Sequence, residues 1–100
     1  MINQIKEAFS SITDPRIDRA KKHSLVDILT ISTLATISGA DGWEHIEMFG
    51  KKKKKWLLKF LKLPNGIPSH DTIARVFSRI DPGEFQDAFL KWVQNIKINV

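Results

Sequence analysis

Apolar residues recur at helical spacing from the start of the chain, where Ile2, Ile5, Phe9 and Ile12 fall three or four positions apart. Thr13-Asp14-Pro15 breaks that pattern, because proline disfavours helical backbone in the residue before it. Ser24 is placed to cap a second helix, with the Asp27 carboxylate in the first turn where the helix dipole favours it. That helix runs through Leu25, Ile28, Leu29, Ile31, Leu34, Ala35 and Ile37 and stops near Gly39. Its apolar residues surround the axis, which marks it as the central, most buried helix. The Ser, Thr and β-branched residues of Thr30 to Ser38 leave a strand open as the alternative.

Helix punctuation continues to the end of the chain. Asp41-Gly42-Trp43-Glu44 has the form of a capping box and opens a short helix that reaches Phe49, with Gly50 ending it. A fourth helix is predicted over Lys54 to Lys62, and Leu63-Pro64-Asn65-Gly66-Ile67-Pro68 is a turn by composition. Ser69 caps a fifth helix that extends to about Ile80. Asp81-Pro82-Gly83-Glu84 starts a sixth, with proline at the first helical position and Glu84 at the third. Its apolar face carries Phe85, Ala88, Phe89, Trp92, Val93 and Ile96. The expected fold is all-α, a small bundle of five to six helices, and residues 1–100 form one domain without repeat or linker.

Composition narrows the picture. At 100 residues with 42% hydrophobic and 27% charged positions, the chain is sized for one core. No cysteine is present, which excludes disulfides and thiolate metal sites and fits a reducing, cytoplasmic setting. Leu25 to Ala40 is the most apolar stretch, yet it contains Asp27 and is shorter than the roughly 20 apolar residues of a membrane span. No membrane partner is expected. Asp41 and His45 have a spacing that can grip a metal, but the capping reading already accounts for Asp41, and no metal site or cofactor is assigned. Ser69-His70 adjacency does not build a nucleophile and base, and no catalytic residue is assigned.

The net charge of +5 is unevenly distributed. Residues 50–79 hold nine Lys or Arg against Asp71 alone, a local charge of +8, between flanks of −2 and −1. On a helical wheel Lys52, Lys55, Lys59 and Lys62 fall within about 80°, opposite Trp56, Leu57, Phe60 and Leu61. Lys53 would point into the apolar side, so the helix starts after it and the first lysines form a lead-in. Ile73, Ala74, Val76, Phe77 and Ile80 share one face of the next helix, and Asp71, Thr72, Arg75, Ser78 and Arg79 share the other. Asp71 and Arg75 have the spacing of an i,i+4 ion pair. Two arginines, hydroxyls and nearby His70, after open amides at Ser69, are residue types that contact phosphates and base edges. The two helices and their turn are helix-turn-helix-like, although six turn residues exceed the usual three or four. The candidate DNA-binding residues are therefore Lys52, Lys55, Lys59, Lys62, Ser69, His70, Thr72, Arg75 and Arg79. The competing reading of both faces is an ordinary solvated surface.

Several blocks together carry a family resemblance. They are Asp14-Pro15-Arg16, His23 to Leu29, Ser38 to Glu44, Phe49-Gly50, Trp56-Leu57, Phe60-Leu61, Leu63 to Ile73, Arg75 to Phe77 and Asp81-Pro82, closed by Phe85, Phe89 and Trp92. This string resembles the N-terminal domain of H-repeat-associated, DDE-type insertion-sequence transposases, most specifically at Pro64-Asn65-Gly66-Ile67-Pro68-Ser69-His70-Asp71-Thr72. The five consecutive lysines depart from the family's more mixed pattern. The resemblance implies an accessory module for DNA transposition, followed in the full-length protein by a DDE domain whose acidic residues hold divalent metals. That domain has no counterpart in these 100 residues, so enzymatic activity is not expected of this chain. The implied partners are DNA, the transposase catalytic domain and a second copy of the chain. The alternative role is a docking or dimerisation module.

Overall fold

The computed structural model describes residues 2–16 and 22–98, with side chains to residue 94. Among them are six helices and no strand: α1 (Ile2–Phe9), α2 (Leu25–Ile37), α3 (Trp43–Lys52), α4 (Lys54–Leu57), α5 (His70–Arg79) and α6 (Pro82–Ile98). The all-α expectation holds. The Ser/Thr-rich part of α2 is helical, and two of its hydroxyls are satisfied by bonding back along the helix. Ser32 donates to the Ile28 carbonyl at 2.7 Å and Thr36 to that of Ser32 at 2.8 Å.

Every residue of α2 from Ile28 to Ala35 is buried, and α1 and α3 both pack on this helix. α1 contributes Ile2, Ile5 and Phe9 to the core and also packs against α6, which supplies Ala88 and Trp92. Phe85, Phe89 and Val93 of α6 lie half-buried against that core, while the side chain of Ile96 is outside the described residues. The start of α2 follows its sequence signal, with Ser24 Oγ accepting from the Asp27 amide at 3.1 Å. Its end is a Schellman motif: Gly39 at φ +105° lets the Ala40 amide reach the Ala35 carbonyl and its own amide reach Thr36.

Two helices depart from expectation. At α3 no capping box forms: Gly42 is the N-cap, without a side-chain hydrogen bond, and the Asp41 carboxylate pairs with the His45 ring. Gly50 does not end this helix but lies buried within it. A Cβ there would stand 2.7 Å from Ile67 Cγ2, so glycine is what lets the 63–68 turn close onto α3. α4 is shorter than predicted. It is one turn, after which the Lys59 and Phe60 amides bond three residues back, to Trp56 and Leu57, and the chain curls away. That curl buries Leu57, Leu61 and Leu63 together, and Lys6 caps its end by donating to the Phe60 carbonyl at 2.9 Å.

The curl dissolves the predicted lysine face. Lys51 and Lys52 close α3 in helical conformation, where a lead-in was expected. Lys55 is in α4, Lys59 in the turns after it and Lys62 in the irregular segment beyond, so these exposed residues do not share a helix. The predicted helix-turn-helix-like pair accordingly has one full helix, α5, and the helix that packs against α5 is α3.

Candidate nucleic-acid interface

α5 is held at its start by a cap and a clasp. Ser69 Oγ accepts from the Thr72 amide at 3.3 Å, as its position before the helix predicts. The clasp is Glu47 of α3: one carboxylate oxygen accepts from the His70 amide at 2.7 Å and meets the His70 ring nitrogen at 2.8 Å. Lys51 reaches the other oxygen. These donors, Lys51 first and then His70, pull the Glu47 carboxyl down to about 2. The same contact raises the His70 imidazole above its usual value, with smaller help from Asp71. His70 thus faces α3 as a structural contact.

Ile73 and Val76 anchor the inner face of α5, which leaves Thr72, Arg75 and Arg79 on the outer face. That face forms one wall of a groove of about 290 Å³. Arg16, Lys22 and His23, from the segment before α2, and Asn65 and Ile67, from the 63–68 turn, form the opposite wall. Among the described residues no aspartate or glutamate lines the groove. The expected Asp71–Arg75 pair does not form, because Asp71 is drawn towards His70, 3.5 Å from its ring. Among the described residues neither Arg75 nor Arg79 has a carboxylate within ion-pair distance.

The opposite wall is stitched internally. Arg16 is only 6% exposed; its guanidinium binds both oxygens of Asp14 at 2.9 Å and donates to the His23 carbonyl at 2.7 Å. Asn65 Nδ2 donates to the Lys22 carbonyl at 2.7 Å and ties the turn to this segment. Burial, then the charges of Lys22 and Arg16, lower the His23 imidazole below its usual value. The groove therefore offers Lys22, Arg75 and Arg79 as cations without an ion-pair partner among the described residues, on a braced frame.

Of the sequence candidates, Ser69, Thr72, Arg75 and Arg79 come together in the groove, His70 turns to α3, and Lys52, Lys55, Lys59 and Lys62 lie outside its lining. Sequence reasoning missed Arg16, Lys22, His23 and Asn65. The available signals were the Asp14-Pro15-Arg16 string, in which a carboxylate two residues before an arginine can fix it, and the Asn65-Gly66 turn.

A second concavity, about 390 Å³, lies between α2, α3, α5 and α6 and is lined mostly by apolar groups, including Ile37, Trp43, Phe77 and Phe89. Ile37 is 60% and Trp43 44% exposed there. No described helix is long and apolar enough to cross a membrane.

Comparison with known proteins agrees with the sequence resemblance. A protein from Xanthobacter autotrophicus, described as an uncharacterized protein in the dhlA 3' region, is 50% identical over 99 residues, which cover 98% of this chain and 34% of that protein. The H repeat-associated putative transposase YhhI of Escherichia coli K12 is 43% identical over 94 residues, covering 94% of this chain and 25% of YhhI. A shorter relative, the inactive transposase YbfQ of the same strain, is 44% identical over 78 residues, covering 78% of this chain and 93% of YbfQ. This chain thus spans about a quarter to a third of the length of the longer relatives. No solved structure matches it. The family described as DDE_Tnp_1-associated matches residues 6–93, and the chain belongs to that family.

Proposed function

We propose that this chain is an accessory DNA-binding module of a DDE-type transposase, with no catalytic role of its own, working in the cytoplasm. The observation that carries the reading is the groove of Lys22, Arg75 and Arg79, which no Asp or Glu among the described residues lines. Cations held around a concave surface, without ion-pair partners among the described residues, favour a polyanion, and the +8 block of residues 50–79 adds an attractive field around it. The relatives' transposase names support DNA as that polyanion. Divalent metal and phosphodiester chemistry belong in this reading to the separate DDE domain.

The test is a titration of labelled duplex at two salt concentrations. With three phosphates neutralised, raising salt fourfold weakens binding by about 40-fold. Replacing Arg75 and Arg79 together with Ala should remove most of the affinity and leave the melting temperature nearly unchanged, because neither side chain has a partner to lose. No binding at either salt concentration refutes the reading, and a loss of stability in place of affinity makes the face structural.

The apolar concavity favours a second reading, docking on the catalytic portion of the transposase. Most of the length of YhhI lies outside the part that matches this chain, which makes that portion the occupant of choice. Sedimentation distinguishes the outcomes. A complex that forms only when the catalytic portion is added supports docking, and concentration-dependent self-association points to a second copy instead.

A further inference from the structure

We infer that the groove seats the sugar-phosphate backbone of a duplex and does not present α5 to base edges. The inference rests on the DNA-binding reading and decides what kind of contact that binding makes.

A helix that reads the major groove must protrude. It is 10–12 Å across with its side chains, and the groove that receives it is about 12 Å wide and 8.5 Å deep. The basic face of α5 does not protrude: Arg75 and Arg79 share a concavity with Lys22 and Asn65, which come from flanking segments. Those segments occupy the space that the rims of a major groove would need.

The chemistry of the lining points the same way. Base reading depends on side chains with oriented donors and acceptors left to offer. Asn65 has spent a donor on the Lys22 carbonyl, which fixes its amide. The Ser69 hydroxyl caps α5 and donates to Thr72 Oγ1 at 3.2 Å. Arg16 is held by Asp14 and His23, with one hydrogen bond from each of its three guanidinium nitrogens. What remains is chiefly cationic: Lys22, Arg75 and Arg79, with the Thr72 hydroxyl beside them. The two arginines lie one helical turn apart, about 6 Å along the axis, and so reach neighbouring phosphates of one strand. Phosphate contacts position a protein on DNA without carrying sequence information.

The experiment selects duplexes from a randomised pool on the intact chain, then measures affinities for selected and unselected duplexes by fluorescence anisotropy. The expected outcome is no enrichment and affinities within about threefold of one another. Arg75→Ala and Arg79→Ala should each weaken every duplex by the same factor and lower the salt slope by about one. Arg75→Lys should keep most of the affinity, since a phosphate accepts a point charge where a bidentate base contact does not. A sequence bound more than tenfold tighter, with that preference lost in both Arg75→Ala and Arg75→Lys, overturns this inference and leaves DNA binding standing. Failure to bind any duplex overturns both. Thermal melts of each variant exclude unfolding as the cause.

Discussion

Glu47 shows how much one side chain settles here. It is 16% exposed, serves the His70 amide, the His70 ring and Lys51, and joins α3 to the start of α5. Its contribution depends on pH from both sides. A carboxyl held at about 2 when folded and near 4.5 when unfolded stabilises the fold above 4.5 and loses that effect as pH falls towards 2. His70, raised in the fold, contributes fully below its unfolded value of 6.5 and loses the contribution as pH climbs through its folded value. The clasp is therefore strongest between about pH 4.5 and 6.5. Thermal melts of Glu47→Gln against the parent should show the largest deficit in that window and almost none at pH 2. A deficit that is flat across pH would mean that packing, not charge, makes the contact. His23 works in the opposite direction: lowered in the fold, it costs stability as pH falls below 6.5, so the comparison must be made with His23 intact in both proteins. Nothing in the sequence around Glu47 announced this role. Its partner lies 23 residues away, whereas the Ser24 and Ser69 caps were legible because each hydroxyl serves an amide three residues on.

The same division governs whole elements. The starts of α2, α5 and α6 and the α2 stop follow from local chemistry and were readable, whereas α3 starts without the capping box its sequence predicts. The ends of α3 and α4 are set by tertiary contacts and were not. Gly50 has the residue type of a terminator, yet the Ile67 side chain packed against it makes it a helix-interior contact. Lys54 to Lys62 have a sound amphipathic pattern, yet burial of Leu57, Leu61 and Leu63 together bends the chain after one turn. The Gly50 reading failed because residue type alone does not show a tertiary contact, and the Lys54 to Lys62 reading because a wheel assumes the helix whose faces it assigns. Gly50→Ala tests the contact. Alanine gains up to about 1 kcal/mol of helix propensity, but crowding Ile67 costs about 1–3 kcal/mol, so a net loss near 1 kcal/mol is expected. In an Ile67→Ala background the crowding is gone, and the same Gly50→Ala change should stabilise by about 0.5–1 kcal/mol. Denaturant melts of the four proteins read this out, and the absence of a sign reversal would show that α3 tolerates a side chain there.

At the scale of the molecule, the two concave surfaces share α5 but not a face of it. Phe77 lies about 140° around the helix from Thr72, so the apolar concavity opens on a different side from the basic groove. Trp43 stacks on Phe77 with ring centroids 5.4 Å apart and is the most exposed aromatic of that surface, whereas Trp92 is buried in the core. This arrangement permits the chain to hold DNA on one side and a protein on the other, provided the intervening helix does not couple them. α5 is fixed at its start by Glu47 and Ser69, near the basic groove, and that fixation does not involve Trp43. Trp43→Ala should therefore cost about 0.5–1.5 kcal/mol of stability through the lost ring contact while leaving duplex affinity within twofold of the parent. Arg75→Ala should do the reverse, sparing stability and weakening the duplex. Anisotropy titrations and thermal melts on the two variants separate these effects. If Trp43→Ala weakens the duplex as much as Arg75→Ala does, α5 transmits between the surfaces, and DNA and the catalytic portion would compete for one state of the module in place of binding it together.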